Sequence, residues 1–371
     1  MNSPGLSSDA FPLSASDPSI LDEPLQLGAI AVPHRILMAP LTRCRSAPGR
    51  VPTALMAEYY TQRASAGLIL TEATSVDPMG VGYPDTPGIW SQDQIAGWKN
   101  VTSAVHAAGG RIMLQLWHVG RISDPVYLNG QLPVAPSAVR PAGNVSHIRP
   151  PKNFEIPRAL ERAEIDEVIE AFRRGAANAK LAGFDGVEIH GANGYLLDQF
   201  LYPDSNLRTD DFGGSIENRA RLHLAVTDAA ISVWGADRVG VHLAPRGESH
   251  DADVDYRAEI FGYLARELGR RKIAFIFARE SQEEPRLGPM IKREFGGALI
   301  ANQALTPAQG AALVAAGEAD AIAWGELFIA NPDLPRRILT PAPLNVPNRE
   351  TYYGEGRIGY TDYPFLASPA A

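Results

Sequence analysis

From about residue 36 onward the chain alternates two kinds of segment: short aliphatic runs without strict polar alternation, and longer stretches whose apolar positions recur at helical spacing. The short runs are Ile36–Pro40, Leu68–Thr74, Arg111–His118, Gly186–Ala192, Val239–Pro245, Ala274–Glu280, Ala298–Asn302 and Ala321–Gly325. Such runs predict strands buried on both faces, as in parallel sheets. The segments with helical spacing are Thr53–Gly67, Ser91–Ala108, Glu164–Ala182, Glu217–Trp234, Tyr256–Leu268, Pro289–Phe295, Thr306–Ala316 and Asp333–Leu339. Eight strand–helix units in 371 residues predict a single α/β domain, a (β/α)8 TIM barrel, with a two-domain α/β arrangement as the structural alternative. Two departures from a minimal barrel are expected. Leu25–Arg35 reads as an N-terminal hairpin that closes the barrel floor, and proline-rich Val119–Leu160 as a long excursion after the third strand, over the barrel mouth. The Ser/Pro-rich residues 1–20 read as a flexible tail ahead of a catalytic domain over 21–371.

Composition narrows the function. Hydrophobic residues at 45% and charged residues at 20% exclude a disordered chain. The net charge of −8, with no basic block interleaved with aromatics, argues against a nucleic-acid partner. One cysteine, Cys44, excludes an intrachain disulfide and a Cys-rich metal site, and a cytoplasmic location is expected. The N-terminus lacks the charged and apolar regions of a leader, and no apolar run of about 18 residues is present, so neither secretion nor a membrane is expected. Asp204, Asn206, Asp210 and Asp211 lack the spacing of a metal loop and read as turn and cap residues, so no metal is expected. His147 and His250 read as isolated in polar loops, and His118 as a packing or loop-anchoring residue.

In such a barrel the working side chains stand at the C-terminal strand ends, where the following loops converge. Those ends offer Pro40 and Thr42; Gln115, Trp117 and His118; His190, Asn193 and Tyr195; His242; Arg279 and Glu280; Asn302 and Gln303; and Glu326. The densest stretch runs from His190 to Arg219, HGANGYLLDQFLYPDSNLRTDDFGGSIENR. A His at a strand end and an Asn three residues later can place two donors on one ligand oxygen, with the Tyr195 phenol close by. Singly, each has a structural reading: strand cap, Asx turn, packed aromatic. Together they can polarise a carbonyl and supply a proton.

MAPLTR (Met38–Arg43), EYYTQRASAGLILTEAT (Glu58–Thr74), LQLWHVGR (Leu114–Arg121), the His190–Arg219 block, IANPDLPRR (Ile329–Arg337) and GYTDYP (Gly359–Pro364) resemble the old yellow enzyme family of FMN-dependent ene-reductases. The resemblance runs from about Leu25 to Leu366. It implies a TIM barrel with FMN at its mouth, NAD(P)H as reductant, and hydride passing to the β-carbon of an activated alkene, with an enone or related conjugated carbonyl as the substrate. Residue by residue, it makes Thr42 and Gln115 flavin contacts, His190 and Asn193 the pair that binds the substrate oxygen, and Tyr195 the proton donor. It also places Pro40, Ala73, Asn302 and Gln303 around the cofactor, and Trp117 and Tyr353 along the substrate pocket. A small-molecule substrate and a monomer or homodimer are expected.

Three positions break the pattern. His242 and Glu326 stand where the family has arginines, directed at the flavin ring and its phosphate, and Leu305 stands where an aromatic is usual. A carboxylate about 5 Å from a phosphate, at an effective dielectric near 20, costs roughly 3 kcal/mol. Weakened FMN binding is therefore expected of an ene-reductase on this chain. The alternative is a flavin-independent isomerase or cyclase that uses His190, Asn193 and Tyr195 for acid–base chemistry on a carbonyl, and a third reading is a non-catalytic binding barrel.

Overall fold

A computed structural model describes residues 17–247 and 254–367. Eight parallel strands close into a barrel: β1 Ile36–Met38, β2 Ile69–Leu70, β3 Ile112–Trp117, β4 Gly186–His190, β5 Val239–Leu243, β6 Phe275–Arg279, β7 Ala298–Asn302 and β8 Ala321–Trp324. β8 pairs with β1, and Ile69 and Leu70 of β2 lie opposite Ile112 and Met113 of β3, which completes the ring. Helices α1 Ala54–Gln62, α2 Gln92–Ala107, α3 Arg162–Leu181, α4 Ile216–Trp234, α5 Val254–Arg271, α6 Gly288–Phe295, α7 Pro307–Ala315 and α8 Leu334–Leu339 occupy the predicted slots. Two short helices, Leu196–Leu201 and Glu326–Ala330, were not expected. The chain is thus a single (β/α)8 barrel.

Successive strand residues face opposite sides, and this sorts the core into two layers. Val187, Ile189, Val239, Val241, Ile276, Leu299 and Ile322 face outward into the large cluster beneath the helices. Leu37, Leu70, Met113, Phe275, Phe277, Ile300 and Ala323 fill the barrel interior. Leu27, Ile30 and Val32 join that inner cluster from the predicted hairpin, whose strands Leu25–Leu27 and Ile30–Val32 are antiparallel. Its turn needs glycine: Gly28 has φ +57, and a Cβ there would sit 2.1 Å from the Asp237 carbonyl. The contact lies just before β5, so the hairpin closes the floor.

The segment expected as one strand over Leu68–Thr74 is broken. Leu70 pairs with Met113 and Thr74 with Leu116, so four steps on one strand answer three on its neighbour. This is a bulge, and it carries Ala73 into the apolar cluster of Trp117, Val119 and Tyr195. The excursion after β3 holds only a two-residue parallel pair, Val134–Ala135 with Arg158–Ala159. At the N-terminus, Pro18–Asp22 forms a short 3-10 helix with Leu21 buried, so the last of the first twenty residues are structured.

Candidate active site

The chain between His190 and the helix Leu196–Leu201 is built as a tight turn. Asn193 and Gly194 both have positive φ, 57 and 77, and the Gly194 amide donates to Asp198 Oδ2 at 2.7 Å. Gly191 has no alternative, since a Cβ there would lie 2.0 Å from His223 Nε2. Tyr195 then caps the short helix, whose Leu196 amide donates to the His118 carbonyl at 3.1 Å. Gln199 ties the same turn to Val119 and Gly194 through its side-chain amide. Backbone bonds to the end of β3 thereby fix where Tyr195 stands.

The side chains at the strand ends converge. In register, His242 lies opposite His190, and their rings stack at 5.2 Å and 4°. Tyr195 meets His190 edge-on at 5.1 Å and Trp117 edge-on at 4.9 Å. The His190–Asn193–Tyr195 constellation read from the sequence is therefore assembled at one mouth. A residue that sequence reasoning missed joins it: the Tyr83 hydroxyl lies 2.7 Å from the Tyr195 hydroxyl. Tyr83 comes from a loop with no motif around it, and only the tertiary contact reveals it.

Below this layer, one side-chain amide orients two neighbours. Gln115 Nε2 donates to Glu188 Oε2 at 2.7 Å and to His242 Nδ1 at 3.1 Å. Since Nδ1 accepts, the proton of neutral His242 resides on Nε2, which is buried and without a partner. His190 Nδ1 and Trp117 Nε1 are likewise buried and unpartnered. Burial, with the Arg279 charge second, pushes His242 down to about 3. Burial, then His242, holds His190 well below its ordinary value, so both imidazoles are neutral. Glu188 is pushed up to about 8 by burial and carries a proton at neutral pH. Burial first, and Tyr83 second, raises the Tyr195 phenol well above 10, so it is a proton source rather than a base.

Other expected positions are less direct. Thr42 and Pro40 stand half-buried just past β1. Asn302 Nδ2 is committed to the Ala323 carbonyl at 2.8 Å. Gln303 and Ala304 hold positive φ values of 108 and 51, a glycine-like backbone carrying side chains. Glu326 turns outward: it is 48% exposed and pairs with Arg349 at 3.2 Å, so the repulsion expected of it is screened and shared. Tyr353 is 50% exposed and lies against His147 at 4.6 Å. His147 is thus not isolated, as its polar sequence context implied; its ring also lies 6.1 Å from Tyr83. His250 lies outside the described residues.

The strand parity also separates Arg279 from Glu280. Arg279 shares the inward face with Phe275 and Phe277, and donates to Asn193 Oδ1 at 2.7 Å and Gln303 Oε1 at 2.9 Å. Glu280 turns away and accepts the Leu287 and Gly288 amides at 2.6 and 2.7 Å. His118 accepts the Gly120 amide on Nδ1 at 3.0 Å, an anchoring role. Arg208 and Asp210 pair with each other, and Asn206 holds two carbonyls. Among the described residues no group of three His, Cys, Asp or Glu could hold a metal ion, and no helix is long and apolar enough to cross a membrane.

The sequence profile of the NADH:flavin oxidoreductase / NADH oxidase family matches residues 21–345. The chain is similar to 12-oxophytodienoate reductase 1 of Oryza sativa subsp. japonica, with 42% identity over 358 residues, covering 92% of each chain. Among solved structures it is similar to morphinone reductase in complex with tetrahydroNAD (47% identity, TM-score 0.90, covering 94% of this chain and 98% of that one). It is also similar to the old yellow enzyme homologue from Zymomonas mobilis (43% identity, TM-score 0.90, covering 93% and 99%).

Proposed function

The chain belongs to the NADH:flavin oxidoreductase / NADH oxidase family, the family of the old yellow enzymes, and from that premise we propose that it reduces the C=C bond of a small α,β-unsaturated carbonyl compound. The observation that carries the reading is the meeting of His190, Tyr195 and Trp117 at one barrel mouth, with Asn193 three residues beyond the strand end.

The family is FMN-dependent, and the residues present answer to that cofactor unequally. At the ring end they fit. His242 Nε2 is an unpartnered buried donor suited to the electron-rich pyrimidine edge, and Gln115 stands beside it, its Nε2 donating to His242 Nδ1 at 3.1 Å. At the phosphate end the backbone of Gln303 and Ala304 has a glycine-like shape, yet Glu326 stands where the resemblance places the phosphate-binding arginine. Weak FMN binding belongs to this proposal. Bound at the mouth, FMN supplies the hydride and NAD(P)H replenishes it.

The chain's own residues do the rest. Neutral His190 and the Asn193 amide donate to the carbonyl oxygen and stabilise the negative charge that gathers there. Tyr195 keeps its proton until the α-carbon needs it, and then gives it up. Tyr83, half-buried and bonded to the Tyr195 hydroxyl, is placed to return a proton from the solvent side. Trp117 and Ala73 wall the pocket and exclude water.

The test is spectroscopic and kinetic. Purified protein given excess FMN should bind it and, with NAD(P)H under anaerobic conditions, reduce a simple cyclic enone. Protein that ignores FMN yet isomerises or cyclises the carbonyl compound would establish the second reading, which the absence of arginine at 242 and 326 beside the retained His190, Asn193 and Tyr195 favours.

A further inference from the structure

Arg279 is a cation without a counter-ion at the mouth. It ends β6 on the inward face, and its two acceptors, Asn193 Oδ1 and Gln303 Oε1, are neutral. Among the described residues no carboxylate lies within ion-pair distance of it. Asn193 is half-buried in a left-handed turn, and its side chain has one oxygen and one NH2 to distribute. With Oδ1 taken by Arg279, the NH2 is what remains for a ligand. Arg279 is exposed and water shares its charge, yet no carboxylate neutralises it, so an anionic ligand atom beside Asn193 gains a charge-assisted attraction that a neutral one lacks.

We infer that Arg279 is a positioning residue of the substrate-oxygen site: it fixes Asn193 as a hydrogen-bond donor and biases the His190–Asn193 pair toward a negatively charged oxygen, such as an enolate or a phenolate. The inference rests on the proposed role of that pair and names the preferred form of its ligand. The field of Arg279 reaches the site, for after burial it contributes to the downward push on His190 and His242. Both imidazoles are then neutral donors, leaving Arg279 as the positive charge nearest the pair among the side chains placed at the mouth. No proton or electron is transferred by Arg279 itself.

The probe is 4-nitrophenol, whose phenolate is yellow whether or not flavin is bound. The protein is titrated with it across pH, and the pKa of the bound phenol is read for the unmodified chain and for Arg279→Met, Arg279→Gln and Arg279→Lys. The bound phenol should ionise at lower pH than the free one. Arg279→Met should raise its pKa by about one unit, a tenfold loss of phenolate affinity. Arg279→Gln keeps a neutral donor and should restore orientation but not the shift, whereas Arg279→Lys should restore much of the shift. Equal values in all four proteins overturn the inference and leave the His190–Asn193 reading standing. Loss of FMN affinity with an unchanged phenol pKa overturns it too, by moving Arg279 to the cofactor. If Asn193→Ala binds 4-nitrophenol as the unmodified chain does, the oxygen-binding reading itself fails.

Discussion

At the residue scale, the site divides into groups that present a proton and groups that present only a hydrogen bond. Tyr195 is the one whose removal separates the two: Tyr195→Phe keeps the ring contacts to His190 and Trp117 but leaves no hydroxyl. Turnover of an enone should fall roughly 10²–10⁴-fold, while affinity for a phenol stays within a few-fold. An unchanged rate in steady-state assays would remove Tyr195 from the chemistry. Tyr83→Phe should lower the rate less, because it breaks only the 2.7 Å bond behind the donor. At the phosphate end, Glu326→Arg should tighten FMN about tenfold, read by quenching of flavin fluorescence, because it replaces an outward carboxylate with a cation. Most of these side chains were visible as polar residues at strand ends. Tyr83 and His147 were not, since a loop residue's neighbours are set by where the loop folds back.

At the element scale, strand ends were read to within a few residues wherever a turn or glycine followed the aliphatic run. The second strand was the exception. Its bulge is invisible in composition because all of its residues are buried whichever way they point. The register of β3, β4 and β5 sets Gln115 opposite Glu188 and His242 opposite His190, two residues further along, and the Gln115 amide spans the two levels. Helix starts carry their own signals: Ser91 and Gln94 form a capping box on α2, and Gln94 also accepts the Trp90 amide at 2.7 Å. Ser91→Ala should destabilise the protein by about 1 kcal/mol, seen as a lower melting temperature with ligand affinity unchanged.

At the scale of the whole molecule, several residues in the family-like motifs turn out to hold the chain together. Arg43 donates to the Tyr352 and Gly359 carbonyls, and Arg63, fully buried, to Phe328 and Ile329. They bind the C-terminal segment to α1. Arg63→Ala strands those carbonyls in the interior and should cost roughly 3 kcal/mol or more, with loss of soluble expression as the first sign. Buried titratable groups bound the pH range from both sides. Glu188, at about 8, and Glu72, at about 7, have folded values above their unfolded ones, so their contribution is present at low pH and is lost as pH rises through those values. His242, at about 3, and His118 and His223, at about 4, are depressed, so stability falls as pH drops below about 6.5. Glu188→Gln should flatten the alkaline side of a melting-temperature profile and leave the acid side as it was.

The sequence by itself determined the barrel, the slots of its eight helices, the floor hairpin and the His190–Asn193–Tyr195 turn, because periodicity, caps and glycines act locally and leave a local record. Only the tertiary structure decided which of Arg279 and Glu280 faces the mouth, which hydroxyl backs Tyr195, that Glu326 turns outward to Arg349, and which nitrogen of His242 carries its proton. Each of those depends on a partner remote in sequence, and burial makes the choice binding: a polar atom withdrawn from water must take the partner that the fold brings to it.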